Sequence, residues 1–163
     1  MAAGLLFPYS ITPITVGCYN GVYIGAGSGA KNEWCTKVAA SIAADAKVEL
    51  YYAVPDPLPS GTLTWRPRAR ASATTGSGKA NPKWAAVVAS GADPSSATLN
   101  AEGTQTYTWS AGDTDEYKTA DLTLDASTPP TPGQILVMQV WFETSGWTLA
   151  AISGWTFPIL WKA

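Results

Sequence analysis

Three arginines stand at alternate positions of one segment: Arg66, Arg68 and Arg70. Alternate side chains of an extended strand project from the same face, so the three guanidinium groups are predicted to form a row. A guanidinium group binds a carboxylate through two parallel hydrogen bonds. Two interpretations of the row follow: contact with an acidic strip on a partner protein, or pairing with Asp and Glu residues of this chain.

A second segment, residues 76–79, has the sequence Gly-Ser-Gly-Lys and resembles part of a phosphate-binding loop. The complete motif needs a glycine at position 73 and a serine or threonine at position 80. Both positions hold alanine, Ala73 and Ala80, so a nucleotide site is not predicted.

Acidic side chains cluster at Asp113, Asp115 and Glu116, and Asp121 and Asp125 follow shortly after them. Carboxylate oxygens are the ligands that calcium prefers. The glycine and the distal glutamate of a calcium-binding loop are missing at the required offsets, so a solvated acidic turn is the favoured interpretation and no metal is expected. Paired carboxylates also occur in glycoside hydrolases, but no pattern marks one of these side chains as buried.

The chain contains no histidine, which removes the commonest general base and metal ligand. No Gly-x-Ser-x-Gly elbow occurs, and the two cysteines, Cys18 and Cys35, have no histidine to activate them. We therefore expect neither enzymatic activity nor a cofactor. The cysteines are expected to be free and buried, with a disulfide between them as the alternative.

Tryptophan is abundant, with eight copies in 163 residues. Three of them stand among other apolar residues on predicted strand faces and are expected in the core: Trp65, Trp109 and Trp161. Three others lie near turns or segment ends, where an exposed indole would serve a protein interface or a sugar-stacking platform: Trp84, Trp147 and Trp155. For each of these three, burial in the core is the favoured alternative.

The elements that must position these side chains are strands, because alternating apolar and polar segments are separated by Pro, Gly, Asp and Ser. Residues 134–143 are apolar on both faces, which predicts a central strand of a covered sheet. Further strands are predicted at 33–38, 47–54, 62–71 with an interruption at Pro67, 104–109, 117–124 and 155–161. A helical turn, or a small-residue strand and loop, is predicted at 39–46, and a polar loop at 72–83.

This pattern predicts an all-β fold, a single antiparallel β-sandwich domain over residues 1–163 with about eight strands, similar to a jelly roll. Its core is predicted to contain the inward residues of the alternating segments: Val48, Leu50, Tyr52, Leu63, Trp65, Leu122, Leu124, Leu136, Met138, Val140 and Phe142.

Charged residues make up 13% of the chain, against roughly 25% in ordinary globular proteins, and the net charge is −2. Neither nucleic acid nor an anionic membrane is therefore expected as a partner. No stretch approaches the ~18 apolar residues of a membrane span, and the N-terminus lacks the pattern of a signal peptide, so synthesis in the cytoplasm is expected. A surface this poor in charge stays soluble when neighbouring copies cover part of it.

Residues 1–10 are predicted to form a docking arm. They include the apolar side chains of Leu5, Leu6 and Phe7, end near Pro8, and lie outside the confidently predicted strands. The alternative is a frayed terminus without a partner.

Three segments carry a resemblance to small virion surface proteins of tailed bacteriophages and gene-transfer particles: the proline-rich step at 53–65, the acidic segment at 112–117 and the block at 132–142. The resemblance is a pattern of strands and turns over most of residues 33–163. It implies a many-copy structural component, made in the host cytoplasm, that decorates the capsid or forms a head spike or fibre base.

The same resemblance implies that the partners are copies of the chain itself, in a trimer or pentamer, and virion proteins such as the major capsid protein. It implies no catalytic residue. An alternative from another class is a carbohydrate-binding or receptor-binding sandwich, of tail-fibre or lectin type, in which exposed Trp or Tyr rings stack on a cell-surface glycan.

Overall fold

A computed structural model describes residues 4–15, 17–23, 33–40, 42–55, 63–72, 75–88, 93, 96–110, 113, 117–119, 121–124, 130–149 and 153–161. The strands within these ranges are β1 (Gly4–Leu6), β2 (Ser10–Pro13), β3 (Cys18–Tyr23), β4 (Glu33–Val38), β5 (Ala46–Ala53), β6 (Leu63–Trp65), β7 (Arg68–Ala71), β8 (Gly76–Val88), β9 (Asn100–Ala101), β10 (Gln105–Trp109), β11 (Tyr117–Thr119), β12 (Leu122–Thr123), β13 (Gln134–Phe142), β14 (Ser153–Thr156) and β15 (Ile159–Trp161). Within the same ranges, no helix has the length and hydropathy needed to cross a lipid bilayer.

Six strands form the front sheet, in the order β10-β8-β13-β5-β2, with β9 paired to β8. The central strand β13 pairs antiparallel with β8 on one side and with β5 on the other. Successive residues on it are buried on opposite faces, since Val137 is 2% exposed and Met138 is 0% exposed. The prediction of a central strand that is apolar on both faces is therefore confirmed.

The remaining two sheets form the back layer. One has the order β1-β15-β6-β12 and the other the order β11-β7-β14-β4-β3. Three pairs of consecutive strands connect the two sheets. One strand of each pair lies in each sheet: β6 and β7, β15 and β14, and β12 and β11. Pro67 and Pro158 stand at two of these breaks, since proline supplies no N–H to a ladder. The backbone N–H of Arg66 donates to the Pro158 carbonyl at 2.9 Å and ties the two breaks together.

One apolar core joins all three sheets. The ring centroid of Phe142, in the front sheet, lies 5.0 Å from that of Trp155 in the back layer. The buried hydroxyl of Tyr52 donates to the Phe157 carbonyl at 2.6 Å, which links the same two layers. The all-β antiparallel sandwich is therefore confirmed, with more and shorter strands than the eight or so expected. Two of the breaks in the back layer stand at prolines, Pro67 and Pro158.

The predicted core agrees with the buried residues. The predicted members that are buried are Val48, Leu50, Tyr52, Trp65, Leu124, Leu136, Met138, Val140 and Phe142. Leu63 and Leu122 are partly buried and pack against the same cluster.

The polar loop predicted at 72–83 is wrong, because β8 begins at Gly76 and continues to Val88. Glycine, serine and proline have low strand propensity. Pairing of β8 with both β10 and β13 overrides that local preference. The same pairing places residues 76–79 inside a ladder, so they do not form a phosphate-binding loop.

The described part of residues 39–46, which is 39–40 and 42–46, contains a turn at Ala40 and no helix. Ile42 is buried, and Ala46 begins β5. Helix propensity does not decide here, because an isolated helix shorter than ~12–15 residues is marginal in water.

The described part of the N-terminal segment is paired within the sandwich, so the alternative of a frayed terminus is wrong for it, while the docking arm over residues 1–10 stays a prediction. Leu6 of β1 lies opposite Ile159 of β15, and β2 begins at Ser10 and pairs with β5. The physical reason is that extending an existing sheet satisfies backbone hydrogen bonds that a free arm would leave to water. Residues 1–3 lie outside the described residues.

Candidate functional site

The three arginines of the sequence, which are all the arginines of the chain, lie on the outer face of the back layer. Arg68 and Arg70 are on β7, directly opposite Thr119 and Tyr117 of β11. Residues that face each other across a ladder project on the same side of the sheet. The predicted row is therefore observed, and β11 adds a tyrosine and a threonine beside it.

Arg66 is held by Asp121. Its Nε and Nη2 atoms each donate to one carboxylate oxygen of Asp121, at 2.6 Å in both cases. The side chains are 33% and 47% exposed, so water screens the pair and its contribution to stability is small. The sequence left two interpretations of the row open, and pairing within the chain is the one observed for Arg66.

These residues surround a cleft of about 380 Å³, which we call the arginine–tyrosine cleft: Arg66, Arg68, Tyr117, Thr119 and Asp121. Tyr117 is 45% exposed. The guanidinium carbon of Arg70 lies 5.6 Å from the centre of the Tyr117 ring, a cation–π contact that restrains the ring. The cleft therefore offers an aromatic face beside guanidinium, carboxylate and hydroxyl groups.

The row continues across the whole sheet. Arg70 lies opposite Gly154, Gly154 opposite Lys37, and Lys37 opposite Tyr19. The Lys37 ammonium nitrogen lies 5.9 Å from the centre of the Tyr19 ring. Each edge of the five-stranded sheet therefore carries an exposed tyrosine next to a cation, with the buried Gly154 at the centre.

A second concave surface, the apolar crevice, has a volume of about 270 Å³. Its lining is Phe7, Pro8, Ile11, Trp34, Cys35, Trp155, Thr156 and Phe157. Phe7 is 54% exposed and Trp34 is 65% exposed. The exposure of Trp34 could not be predicted from its place in the segment 33–38, because Cys35 beside it is buried and the segment shows no clear alternation.

The residues proposed as an N-terminal contact site occupy different environments. Leu6 packs against the core, whereas Leu5 and Phe7 are exposed. Only Phe7 of the three reaches the apolar crevice.

The three tryptophans near turns, Trp84, Trp147 and Trp155, are buried, so the favoured interpretation, burial in the core, is confirmed and the exposed platform is not observed. The Trp84 indole N–H donates to Glu102 at 2.6 Å. Trp147 packs against Gly78, and Trp155 is fully buried against aromatic neighbours. A large aromatic side chain near a turn still packs in the core, because removing its apolar surface from water lowers the free energy of the folded protein.

Cys18 and Cys35 are both buried, and neither forms a disulfide, as expected. Cys18 lies opposite Val38 and Cys35 opposite Gly21 in the same β3–β4 ladder, so the two thiols are three positions apart along it and project from opposite faces. Disulfide geometry is therefore not available without backbone movement. Burial raises the pKa of the Cys18 thiol to about 12.

The acidic turn is described only at Asp113. Its carboxylate accepts a hydrogen bond from the Ser110 backbone N–H at 2.7 Å and from the Lys118 ammonium at 2.9 Å, and these bonds lower the pKa of Asp113. Asp115, Glu116 and Asp125 lie outside the described residues. Among the residues that the structure describes, no three Cys, Asp or Glu side chains are grouped as metal ligands.

No protein-family model matches the sequence, and no curated protein matches it. Among solved structures, the K1 cleaved adhesin domain of Lys-gingipain from Porphyromonas gingivalis W83 is 15% identical, with 100% of this chain and 99% of that domain aligned and a TM-score of 0.52. The CBM22-1 xylan-binding domain of Xyn10C from Paenibacillus barcinonensis is 10% identical, with 99% and 97% aligned and a TM-score of 0.50.

An arabinose-bound α-L-arabinofuranosidase is 11% identical over 93% of this chain, which spans 23% of that enzyme's length, with a TM-score of 0.45. At such identities, the likeness to the adhesin and xylan-binding domains shows a shared fold. The chain is a β-sandwich of the kind found in those two domains.

Proposed function

We propose that this chain is a non-catalytic binding module that holds a saccharide in the arginine–tyrosine cleft. The observation that carries the proposal is Tyr117, an exposed aromatic ring restrained by Arg70 at the edge of a cleft whose other described lining side chains are polar. Binding sites generally combine a concave surface with a few well-placed polar groups.

The chemistry of the lining suits a sugar. A sugar ring has a flat face of C–H groups and a rim of hydroxyl groups. An aromatic ring packs against the first, and charged planar side chains make strong hydrogen bonds to the second. Tyr117 supplies the ring, while Arg68, Thr119 and Asp121 supply donors and acceptors.

The shared fold supports the same proposal. A domain of this fold at a TM-score of 0.50 is named as xylan-binding, and that property belongs to that domain. This support favours a carbohydrate-binding module over a capsid-decoration protein. The sugar bound by this chain is left to experiment, because a shared fold does not specify a ligand.

The proposal is tested by affinity electrophoresis in gels containing xylan, galactan, arabinan, polygalacturonate or β-glucan. We expect at least one polysaccharide to retard the protein, and Tyr117→Ala to weaken that binding by about 10-fold or more, since burying an aromatic face contributes ~1.5–3 kcal/mol. Tyr117→Phe keeps the ring and should bind nearly as well.

The matched control is Tyr19→Ala. Tyr19 is equally exposed at the opposite edge of the same sheet and also contacts a cation, but it does not line the cleft. The proposal is wrong if no polysaccharide retards the protein, or if Tyr19→Ala and Tyr117→Ala have the same effect.

The apolar crevice favours a second candidate function, contact with a protein partner. Exposed Phe7 and Trp34 at its rim are side chains that interfaces favour over ordinary surface. The protein could also be a many-copy virion component, assembled in the host cytoplasm with copies of itself or with capsid proteins. In that role, the apolar crevice would be the contact surface. The comparisons give that role no support, so it stands second.

A point substitution tests the second candidate better than deletion of residues 1–10, which would remove β1 and the start of β2. The double variant Phe7→Ser with Trp34→Ser removes the exposed rings and leaves both strands. Loss of self-association in sedimentation, or of binding to particles that lack the protein, would support a contact role. Monomeric wild-type protein that binds no particle would exclude it.

A further inference from the structure

We propose that the bound saccharide is a polyuronate and that Arg68 binds one of its carboxylate groups. This inference rests on the proposed function, because it assigns a ligand class to the same cleft. The aromatic ring of Tyr117 does not by itself distinguish a charged sugar from a neutral one, whereas Arg68 does.

The charges of the described residues that line the cleft do not cancel. Among these residues are two guanidinium groups and one carboxylate, and the carboxylate, Asp121, is held in two hydrogen bonds by Arg66. The side chain of Arg68 makes no hydrogen bond or ion pair with any residue that the structure describes. Within the described part of the cleft wall, one positive charge is therefore left for a ligand to neutralise.

A saccharide stacked on Tyr117 would cover Arg68, because Arg68 and Tyr117 line the same cleft and lie on adjacent, paired strands. Covering a guanidinium group removes its water, which is costly unless an anion replaces that water. A neutral sugar supplies only hydroxyl groups to Arg68, whereas a uronate supplies a carboxylate with the geometry that the guanidinium fork prefers.

The same face already shows this mode of binding. Arg66 holds the Asp121 carboxylate through two donors, so a fork-to-carboxylate pair fits on this surface of the sheet without rearrangement. The whole chain has a net charge of −2, so long-range attraction does not draw a polyanion to it. Binding of a polyuronate would therefore depend on the local contact at Arg68.

Polygalacturonate and its fully methyl-esterified form are the probes, because they share one backbone and differ in the carboxylate charge. We expect polygalacturonate to bind at least 10-fold more tightly in affinity electrophoresis and isothermal titration. Equal binding, or tighter binding of the ester, would overturn the inference and leave the proposed function standing. Failure of both probes together with every neutral polysaccharide would overturn the proposed function itself.

Two variants of Arg68 test whether its guanidinium group binds the carboxylate. Arg68→Gln should weaken polygalacturonate binding about 10- to 100-fold, as expected for a lost charge-assisted hydrogen bond. It should weaken binding of the ester by a smaller factor, because Arg68 makes only hydrogen bonds to neutral groups there. Arg68→Lys should restore polygalacturonate binding only in part, because an ammonium group has no fork.

The control is Lys83→Gln, which removes one positive charge from the outer face of the front sheet, where Lys83 contacts Trp141. Its affinity should equal that of the wild type, and the thermal unfolding of each variant shows whether it is folded. If Lys83→Gln weakens binding as much as Arg68→Gln, the effect is non-specific attraction and the inference is overturned.

Discussion

Arg70 and Tyr117 face each other directly across the β7–β11 ladder, with the guanidinium carbon 5.6 Å from the centre of the tyrosine ring. A contact of this kind at an exposed site contributes ~0.5–1 kcal/mol and limits the rotation of the ring. The ring is thereby prepared for a ligand before binding, which lowers the entropy that binding must offset. Lys37 and Tyr19 repeat the arrangement at the other edge of the sheet, away from the cleft.

Gly78 is predicted to be essential for packing of the front sheet. A Cβ atom at this position would lie 2.8 Å from Cζ3 of the Trp147 ring, and that buried ring has little room to move. We expect Gly78→Ala to destabilise the protein by about 1–3 kcal/mol, as overpacking of a core does. The midpoint of chemical denaturation measures the change.

The matched control is Gly103→Ala, where the added Cβ would meet its nearest neighbour, Leu122 Cδ1, at an ordinary contact distance of 4.0 Å. Its stability should change by less than ~1 kcal/mol, in either direction. Equal stability of the two variants would show that the contact between Gly78 and Trp147 is not as close as described.

Gly78 also explains where prediction from the sequence fails. Strands β5 and β13 are predictable because every second residue of β5 is apolar and β13 is apolar on both faces, and both patterns are local. Strand β8 is not predictable in this way, since its two glycines and its proline, Pro82, signal a loop. Its partner strands β10 and β13 and the close approach of Trp147 are set by distant parts of the chain.

Asp45 is predicted to make the stability of the protein depend on acidic pH. Its carboxylate accepts hydrogen bonds from the backbone N–H and the hydroxyl of Thr144, at 2.9 and 3.0 Å, and these bonds lower its pKa below the ordinary value of 3.8. A lowered pKa in the folded state stabilises the protein above pH 3.8. That stabilisation is lost as the pH falls through the folded-state pKa.

Asp45→Asn should therefore unfold at a lower temperature than the wild type at pH 7, and the difference should vanish towards pH 2. The effect at pH 7 should not exceed ~1 kcal/mol, because the group is exposed and water screens it. Thermal unfolding between pH 2 and 7 measures both proteins. A difference that stays constant with pH would contradict this role for Asp45.

The candidate site is predictable from the sequence only in part. The arginine row follows from alternate spacing at Arg66, Arg68 and Arg70, which is a local property. Tyr117 becomes part of the site because β11 pairs with β7, and the residues between them in the chain contain no signal for that register. Burial of Trp84 and Trp155 is the favoured interpretation from the sequence, but their ladder partners, Met138 and Ala69, are distant in sequence and have no local signal.

The most direct test of the account is a map of backbone amide chemical shifts during titration with an oligosaccharide of the polysaccharide that binds best. The account predicts the largest changes at the amides of Arg68, Tyr117 and Thr119, which line the arginine–tyrosine cleft. The chemical shifts of the amides of β13 in the front sheet should stay unchanged. Changes centred on the apolar crevice at Phe7 and Trp34, with none in the cleft, would contradict it.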